Sequence, residues 1–267
     1  MLKVHNITKR FGGVRALSNV SFEVRTEEVV ALVGPNGAGK TTLFNIISGA
    51  VKSDEGKIIF KDEDITDLSP VERVKRGISR TFQNIRLFDN MNVLENILVG
   101  FHINYRYSLI DAFLRLPRYF IDENRARKKA IEIATFVGIS NYLDKKVKNL
   151  PYGIRKKVEI ARALATNGDL LLLDEPAAGL TDVETEELAL LIKLINLELE
   201  KTILFIEHDM NFLRLVAHRV IVLDYGKVIF DGLPQDMFRD ERVISAYLGG
   251  EIDEDVIKAK KGERKNV

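Results

Sequence analysis

The sequence has no cysteine, almost no net charge and no long apolar run, and each absence excludes a class of protein. Without cysteine, the 267 residues contain no disulfide, no catalytic thiolate and no zinc–thiolate site, which favours a reducing compartment. Lys and Arg number 40 and Asp and Glu 39, so no overall basic field indicates nucleic acid as a partner. No apolar run approaches the roughly 18 residues of a membrane-spanning helix, and Met1–Ile7 predicts a strand and not a signal peptide.

The most informative segment is glycine-rich and lies between an apolar run, Val29–Val33, and a helical pattern that ends at Gly49. It matches G-x-x-x-x-G-K-[ST] with Gly34, Pro35, Asn36, Gly37, Ala38, Gly39, Lys40, Thr41 and Thr42. Strand, glycine-rich turn and helix are the context of a phosphate-binding loop, whose N–H groups face the anion. Lys40 supplies a charge for the β- and γ-phosphates, and Thr41 supplies a hydroxyl for Mg²⁺. The chain is therefore predicted to bind a nucleoside triphosphate with magnesium.

Two carboxylates follow a second apolar run. Leu170–Leu173 lacks alternation, which is typical of a parallel strand that is covered on both faces. Ligands of open α/β sheets bind at the carboxyl ends of strands, where Asp174 and Glu175 are predicted to lie. Asp174 can hold Mg²⁺, and Glu175 can orient and deprotonate an attacking water. The alternative is that both carboxylates cap a helix or pair with Lys and Arg.

Three single residues have both a functional and a structural interpretation. Gln83 follows a predicted strand and can reach Mg²⁺ and water, or it is an ordinary surface residue. His208 ends another predicted strand and can contact a γ-phosphate, or it is only the neighbour of Asp209, a candidate helix N-cap. Phe11 can stack on adenine or belong to the core.

Taken in order, these features resemble the ATP-binding subunit of ABC transporters, over residues 1 to about 250. The resemblance implies an adenine-stacking Phe11, Walker A at Gly34–Thr42, a Q-loop at Gln83, a signature at Leu150–Ile154, Walker B at Asp174 and Glu175, and a switch histidine at His208. It assigns catalysis to Glu175, His208 and Gln83, metal contacts to Thr41, Gln83 and Asp174, and further nucleotide contacts to Tyr152 and Gly153.

Two motifs depart from the family pattern, the signature and the D-loop, and the signature Leu150–Ile154 lacks both its usual serine and its usual glutamine. Pro151 stands where the usual signature has serine, and Thr181 stands where the D-loop has aspartate, with Asp182 beside it. Several short phrases resemble the branched-chain amino-acid importer branch of the family: residues 80–88, the start of the signature, residues 177–180 and residues 246–249.

The implied fold class is α/β. It has a P-loop NTPase core with a mostly parallel sheet, an N-terminal antiparallel β subdomain and an inserted helical lobe. The core comprises residues 1–90 and 169–232, the lobe comprises residues 91–168, and a charged tail follows the domain at residues 251–267. Helices are predicted at Glu123–Val137, Val183–Glu200 and Asn211–Ala217, and residues 102–120 are predicted to be the least regular part of the lobe.

The resemblance implies ATP and Mg²⁺ as cofactors, a peripheral position on the cytoplasmic face of the membrane, and no nucleic acid. Its implied partners are a second ATP-binding subunit (a different chain or a second copy), integral membrane permease subunits and, indirectly, an external solute-binding protein. The apolar residues Phe82, Leu87, Phe88 and Met91, near Gln83 and the helical lobe, predict a surface that docks the membrane subunits, with simple packing of the lobe as the alternative. Two other functions stay open: a soluble ABC ATPase, as in iron–sulfur assembly, and an importer of urea or amides.

Overall fold

The computed structural model describes residues 1–81, 85–105, 109–114 and 116–248. The strands are β1 (Leu2–Phe11), β2 (Val14–Val24), β3 (Val29–Val33), β4 (Glu55–Phe60), β5 (Glu63–Asp64), β6 (Ile78–Arg80), β7 (Leu170–Asp174), β8 (Thr202–Ile206), β9 (Arg219–Asp224) and β10 (Lys227–Gly232). The helices are α1 (Lys40–Ile47), α2 (Pro70–Arg76), α3 (Val93–Phe101), α4 (Leu109–Phe113), α5 (Pro117–Phe136), α6 (Tyr152–Ala165), α7 (Asp182–Leu199), α8 (Met210–Val216), α9 (Pro234–Met237) and α10 (Glu241–Leu248). Among these described helices, none is long and apolar enough to cross a membrane.

The central sheet has six strands in the order β10-β9-β3-β8-β7-β6. Every neighbouring pair is parallel except β9 and β10, which form an antiparallel hairpin. All five residues of β3, of β7 and of β8 are buried, as expected for strands that are covered on both faces. Because β3, β7 and β8 are parallel, their carboxyl ends meet at one edge of the sheet.

The second sheet has four antiparallel strands in the order β2-β1-β4-β5, which confirms the predicted N-terminal antiparallel subdomain. Its first strand, Leu2–Phe11, extends beyond the strand predicted at Met1–Ile7, and it meets β2 in a tight turn where Phe11 pairs with Val14. Register shifts interrupt the β1–β2 ladder. These irregularities break the alternation of apolar residues, so the pattern revealed only part of β1.

Three long helices lie between β6 and β7 along the chain. α3 packs against α5 and α6, α5 also contacts α6, and the buried residues of α5 form a stripe of small side chains, Ala126, Ala130 and Ala134. The predicted start of this helix at Glu123 is wrong, because Pro117 starts α5 six positions earlier. Residues 102–120, predicted to be irregular, contain α4 and the start of α5.

The apolar core lies on both faces of the central sheet. Val30 and Leu32 of β3 pack in a cluster with α1 and the antiparallel sheet. Ala31 and Val33 point to the opposite face, where they join a cluster that includes α3, α5, α6 and α7. The helices of the predicted lobe therefore share one apolar core with the sheet that carries the loop at residues 34–39. The predicted tail, residues 251–267, lies outside the described residues.

Candidate nucleotide-binding site

The glycine-rich loop connects β3 to the first turn of α1. Gly34, Gly37 and Gly39 have φ values of 146°, 81° and 104°, in the region that residues with a side chain rarely adopt. A Cβ on Gly39 would lie 2.6 Å from the carbonyl oxygen of Ala16, so the loop also passes close to β2. The first turn of α1 contains no acidic residue. The loop and the start of α1 therefore have the backbone geometry of an anion site.

Lys40 is the first residue of α1 and turns back over the loop. Its Nζ donates to the carbonyl oxygens of Gly34, at 2.5 Å, and Pro35, at 3.0 Å. Burial lowers the pKa of Lys40, and the nearby charge of Glu175 acts in the opposite direction. Both acceptors are neutral carbonyl oxygens, so these hydrogen bonds bring no negative charge to the Lys40 ammonium. A phosphate bound at the loop would supply that charge. The site thus fits a polyphosphate.

Asp174 is the last residue of β7 and is 3% exposed. Burial raises the pKa of its carboxyl, whereas the hydrogen bond and charge of Arg80 lower it. Arg80 Nη2 lies 3.0 Å from Asp174 Oδ2, and its Nη1 donates to Asn45 Oδ1 and Ser48 Oγ, both at 2.7 Å. Arg80 therefore connects the far end of the loop helix, α1, to the carboxylate predicted to hold Mg²⁺.

Glu175 and His208, both predicted to be catalytic, lie side by side. His208 Nε2 is 3.2 Å from Glu175 Oε1, although the two residues follow different strands. Glu175 has a φ of 48°, an unusual backbone conformation for a residue with a side chain. Its N–H donates to the carbonyl of Ile206 at 3.0 Å, which fixes the peptide against β8. This geometry directs both polar side chains to the same edge of the sheet as the loop.

Two buried residues that the sequence analysis did not select hold this pair in place. Glu207 accepts hydrogen bonds from the N–H groups of Ala177, at 2.7 Å, and His208, at 2.8 Å, and burial raises its pKa. Lys156 of α6 donates to the backbone carbonyl of Glu175 at 3.1 Å. For Glu207 a signal existed, because it is a carboxylate directly after a buried strand. Lys156 lies 19 residues from its partner and has no comparable signal.

The signature segment forms the N-terminus of α6. Pro151 occupies the N-cap position with φ −53° and ψ 152°, and it has no side-chain oxygen with which to cap the helix. Tyr152, the first residue of α6, is 43% exposed. Gly153 lies against α7, where an added Cβ would be 2.4 Å from Glu184 Oε1. The segment predicted to be the signature therefore presents backbone N–H groups without a side-chain cap and the exposed phenol of Tyr152.

The other positions discussed in the sequence analysis are Phe11, Thr181, Asp209 and Gln83. Phe11 is 51% exposed at the end of β1, with Lys9 Nζ 5.4 Å from its ring centroid, so the core alternative is wrong for this residue. Thr181 caps α7 in a reciprocal pair with Glu184, which gives the D-loop departure a local structural role. Asp209 caps α8, as proposed for it, next to His208. Gln83 lies outside the described residues.

The chain belongs to the ABC transporter family, whose model matches residues 17–178. A second model, described as a branched-chain amino acid ATP-binding cassette transporter, matches residues 227–253. These matches confirm the family and the branch that the sequence resembles.

A relative and two solved structures agree with this assignment. The high-affinity branched-chain amino acid transport ATP-binding protein LivG of Escherichia coli strain K12 is 38% identical over 249 residues, which cover 93% of this chain and 98% of LivG. The ADP conformation of an ATP-binding cassette of an ABC transporter superposes with a TM-score of 0.79 at 33% identity, covering 94% of this chain and 99% of that chain. A dimeric structure of a bacterial ABC transporter cassette has a TM-score of 0.74 at 30% identity, covering 88% and 99%.

Proposed function

We propose that this chain binds and hydrolyses ATP to power an ABC importer of branched-chain amino acids. The observation that carries the proposal is the meeting of three groups at one edge of the sheet. These are the loop with Lys40, the Arg80-paired Asp174 and the Glu175–His208 pair. The solute class rests on relatives that are named for branched-chain amino acid transport.

Binding of the triphosphate is assigned to the loop and to the residues around it. The N–H groups of residues 36–39 and of the first turn of α1 bind the phosphates, and Lys40 adds a charge. Thr41, Asp174 and Gln83 would hold Mg²⁺, which when bound offsets negative charge on the phosphate oxygens. Thr41 is exposed at the start of α1, so a metal ion outside the helix can contact its hydroxyl. Phe11 stacks on the adenine.

Hydrolysis is assigned to Glu175, assisted by His208 and Gln83. The Glu175 carboxylate orients a water and accepts its proton as the water oxygen bonds to the γ-phosphorus. The bond from that phosphorus to the β,γ-bridging oxygen breaks, which leaves ADP and phosphate. His208, 3.2 Å from Glu175, positions the carboxylate and contacts the γ-phosphate.

The partners are a second ATP-binding subunit and the membrane permease subunits, at the cytoplasmic face of the membrane. The dimeric cassette structure supports a dimer of ATP-binding domains. In that arrangement Tyr152, Gly153 and the N-terminus of α6 would meet the ATP on the other subunit. Phe88 is 48% exposed and Met91 is 37% exposed, which supports a docking role for that surface toward the permease.

Uptake by cells that lack this chain tests the proposal. We expect loss of labelled leucine uptake, restored by the wild-type chain and not by Lys40→Ala or Glu175→Gln. Loss of labelled urea uptake with normal leucine uptake would instead identify a urea importer. Unchanged uptake of both solutes, with reduced activity of iron–sulfur enzymes, would identify an assembly ATPase. Binding of a fluorescent ATP analogue with and without EDTA tests the magnesium requirement separately.

A further inference from the structure

An exposed apolar surface lies on α4, on the link that follows it and on the first turns of α5. Its large apolar side chains are Ile110, Phe113, Leu114, Leu116, Phe120 and Ile121, with exposures of 68%, 87%, 58%, 39%, 48% and 58%. Single exposed apolar residues are ordinary on a protein surface, but a group of six within twelve positions is not. We call this group the α4–α5 surface.

The α4–α5 surface is not the packing face of α5. That helix packs through Ala126, Ala130 and Ala134, which are buried at a spacing of four residues. With 3.6 residues per turn, Ile121 lies opposite this stripe, about 180° from its centre, and Phe120 lies at its edge, about 80° from the centre. Their exposure therefore follows from the placement of the helix and not from an incomplete core.

Cations lie on the same outer face of α5. Arg127 is seven positions after Phe120 and Lys128 is seven positions after Ile121, and this spacing returns to the same side of a helix. Both cations are exposed, as are Arg118 and Arg125, whereas the exposed acidic residue on this face is Glu132, so basic residues predominate. A helix face that combines aromatic and apolar side chains with Lys and Arg has the composition of a membrane-surface helix.

A second exposed apolar stripe in this chain has the opposite charge environment. Leu190, Leu194 and Leu197 of α7 are 62%, 42% and 73% exposed, but the exposed charged residues beside them are Glu186, Glu187, Glu198 and Lys193, so acidic residues outnumber basic ones. An anionic surface would attract the α4–α5 surface and repel the α7 stripe. Both surfaces expose apolar area, so apolar area alone does not identify a partner. The positive charge of the α4–α5 surface favours an anionic one.

We propose that the α4–α5 surface lies on the anionic lipid headgroups of the membrane, with Phe113 and Phe120 inserted at the interface. The ATP-binding subunit would then touch lipid directly, in addition to its contacts with the permease. This inference goes beyond the proposed function, because it requires neither ATP hydrolysis nor a permease. It predicts that the purified chain binds vesicles by itself.

Co-sedimentation with phosphatidylcholine vesicles, with and without phosphatidylglycerol, tests this proposal. We expect binding only when phosphatidylglycerol is present, and release of the protein at high salt. Each cation near an anionic surface changes the binding constant about fivefold, so Arg127→Gln with Lys128→Gln should weaken binding roughly 25-fold. Phe113→Ser with Phe120→Ser should weaken it by at least about tenfold, because two aromatic anchors are lost.

The matched control is Leu190→Ser with Leu197→Ser, which removes equally exposed apolar side chains from the acidic α7 stripe. This control should bind vesicles as the wild type does. Equal binding to both kinds of vesicle, or an equal effect of the α5 and α7 variants, would overturn the proposal. So would association that appears only when permease subunits are present, which would assign the surface to a protein partner. ATP-analogue binding by the same samples reports separately on the fold and on the proposed function.

Discussion

Replacing Arg80 with methionine should destabilise the fold, because the substitution removes the charge that pairs with a buried carboxylate. The Arg80 and Asp174 side chains are 12% and 4% exposed, so water screens the pair poorly. Breaking a buried ion pair by removing one partner costs about 3–5 kcal/mol. Arg80→Met also removes the hydrogen bonds to Asn45 and Ser48. We therefore expect the free energy of unfolding to fall by about 3–5 kcal/mol at neutral pH.

The loss should depend on pH in a defined direction. Burial raises the pKa of Asp174 above its ordinary value of 3.8, and Arg80 opposes that rise. Without Arg80 the folded-state pKa of Asp174 rises further, while the unfolded-state pKa stays near 3.8. Between these two values the folded state binds more protons, so lowering the pH through this window stabilises the variant. The difference from the wild type should therefore shrink on acidification.

Urea unfolding of the wild type, Arg80→Met and Arg80→Lys at neutral and acidic pH measures these effects. Asp174→Asn completes a double-mutant cycle, since it removes the charge that Arg80 balances. In the Asp174→Asn background, Arg80→Met should cost much less. A loss below about 1 kcal/mol at neutral pH, or a loss that is independent of pH, would refute the reasoning.

Three further predictions concern the loop, the signature and the partner surface. Gly39→Ala should abolish tight binding of an ATP analogue in a fluorescence titration, because φ is 104° and the new Cβ would lie 2.6 Å from the Ala16 oxygen; binding as in the wild type would contradict the assigned loop geometry. Pro151→Ser should tighten ATP-dependent association with the second subunit about ten- to a hundredfold, because the serine adds one hydrogen bond to a charged phosphate. The measurement is the dimerisation affinity of hydrolysis-deficient subunits in ATP, with and without the substitution. Equal affinities would mean that the missing serine is already compensated. Phe88→Asp should prevent co-purification with the permease while ATP affinity is unchanged, and an intact complex would exclude docking at that position.

Much of the fold followed from local patterns in the sequence. The runs Val29–Val33 and Leu170–Leu173 are buried strands because apolar residues without alternation must be covered on both faces. The start of α5 did not follow, because Phe120 and Ile121 are exposed and disturb the periodicity that marks a helix. The short helix α2 also escaped prediction, although Ser69 and Glu72 form a capping box at its start.

The site divides in the same way. The phosphate-binding loop is a contiguous motif, so its sequence was sufficient to predict it. The Arg80–Asp174 contact joins residues 94 positions apart, and Lys156 reaches a backbone oxygen, which no side-chain pattern reports. Glu175 and His208 were selected separately, but their 3.2 Å contact depends on the parallel register of β7 and β8.

Nucleotide binding and turnover of Glu175→Gln, measured on the same sample, test the central claim most directly. Glutamine keeps the shape of glutamate but cannot accept a proton, and general-base catalysis contributes about 10²–10⁴ in rate. The account predicts unchanged affinity for an ATP analogue and loss of hydrolysis by that factor, with Glu198→Gln on the surface of α7 as the matched control. Hydrolysis by Glu175→Gln within a few-fold of the wild type in the assembled transporter would contradict the account.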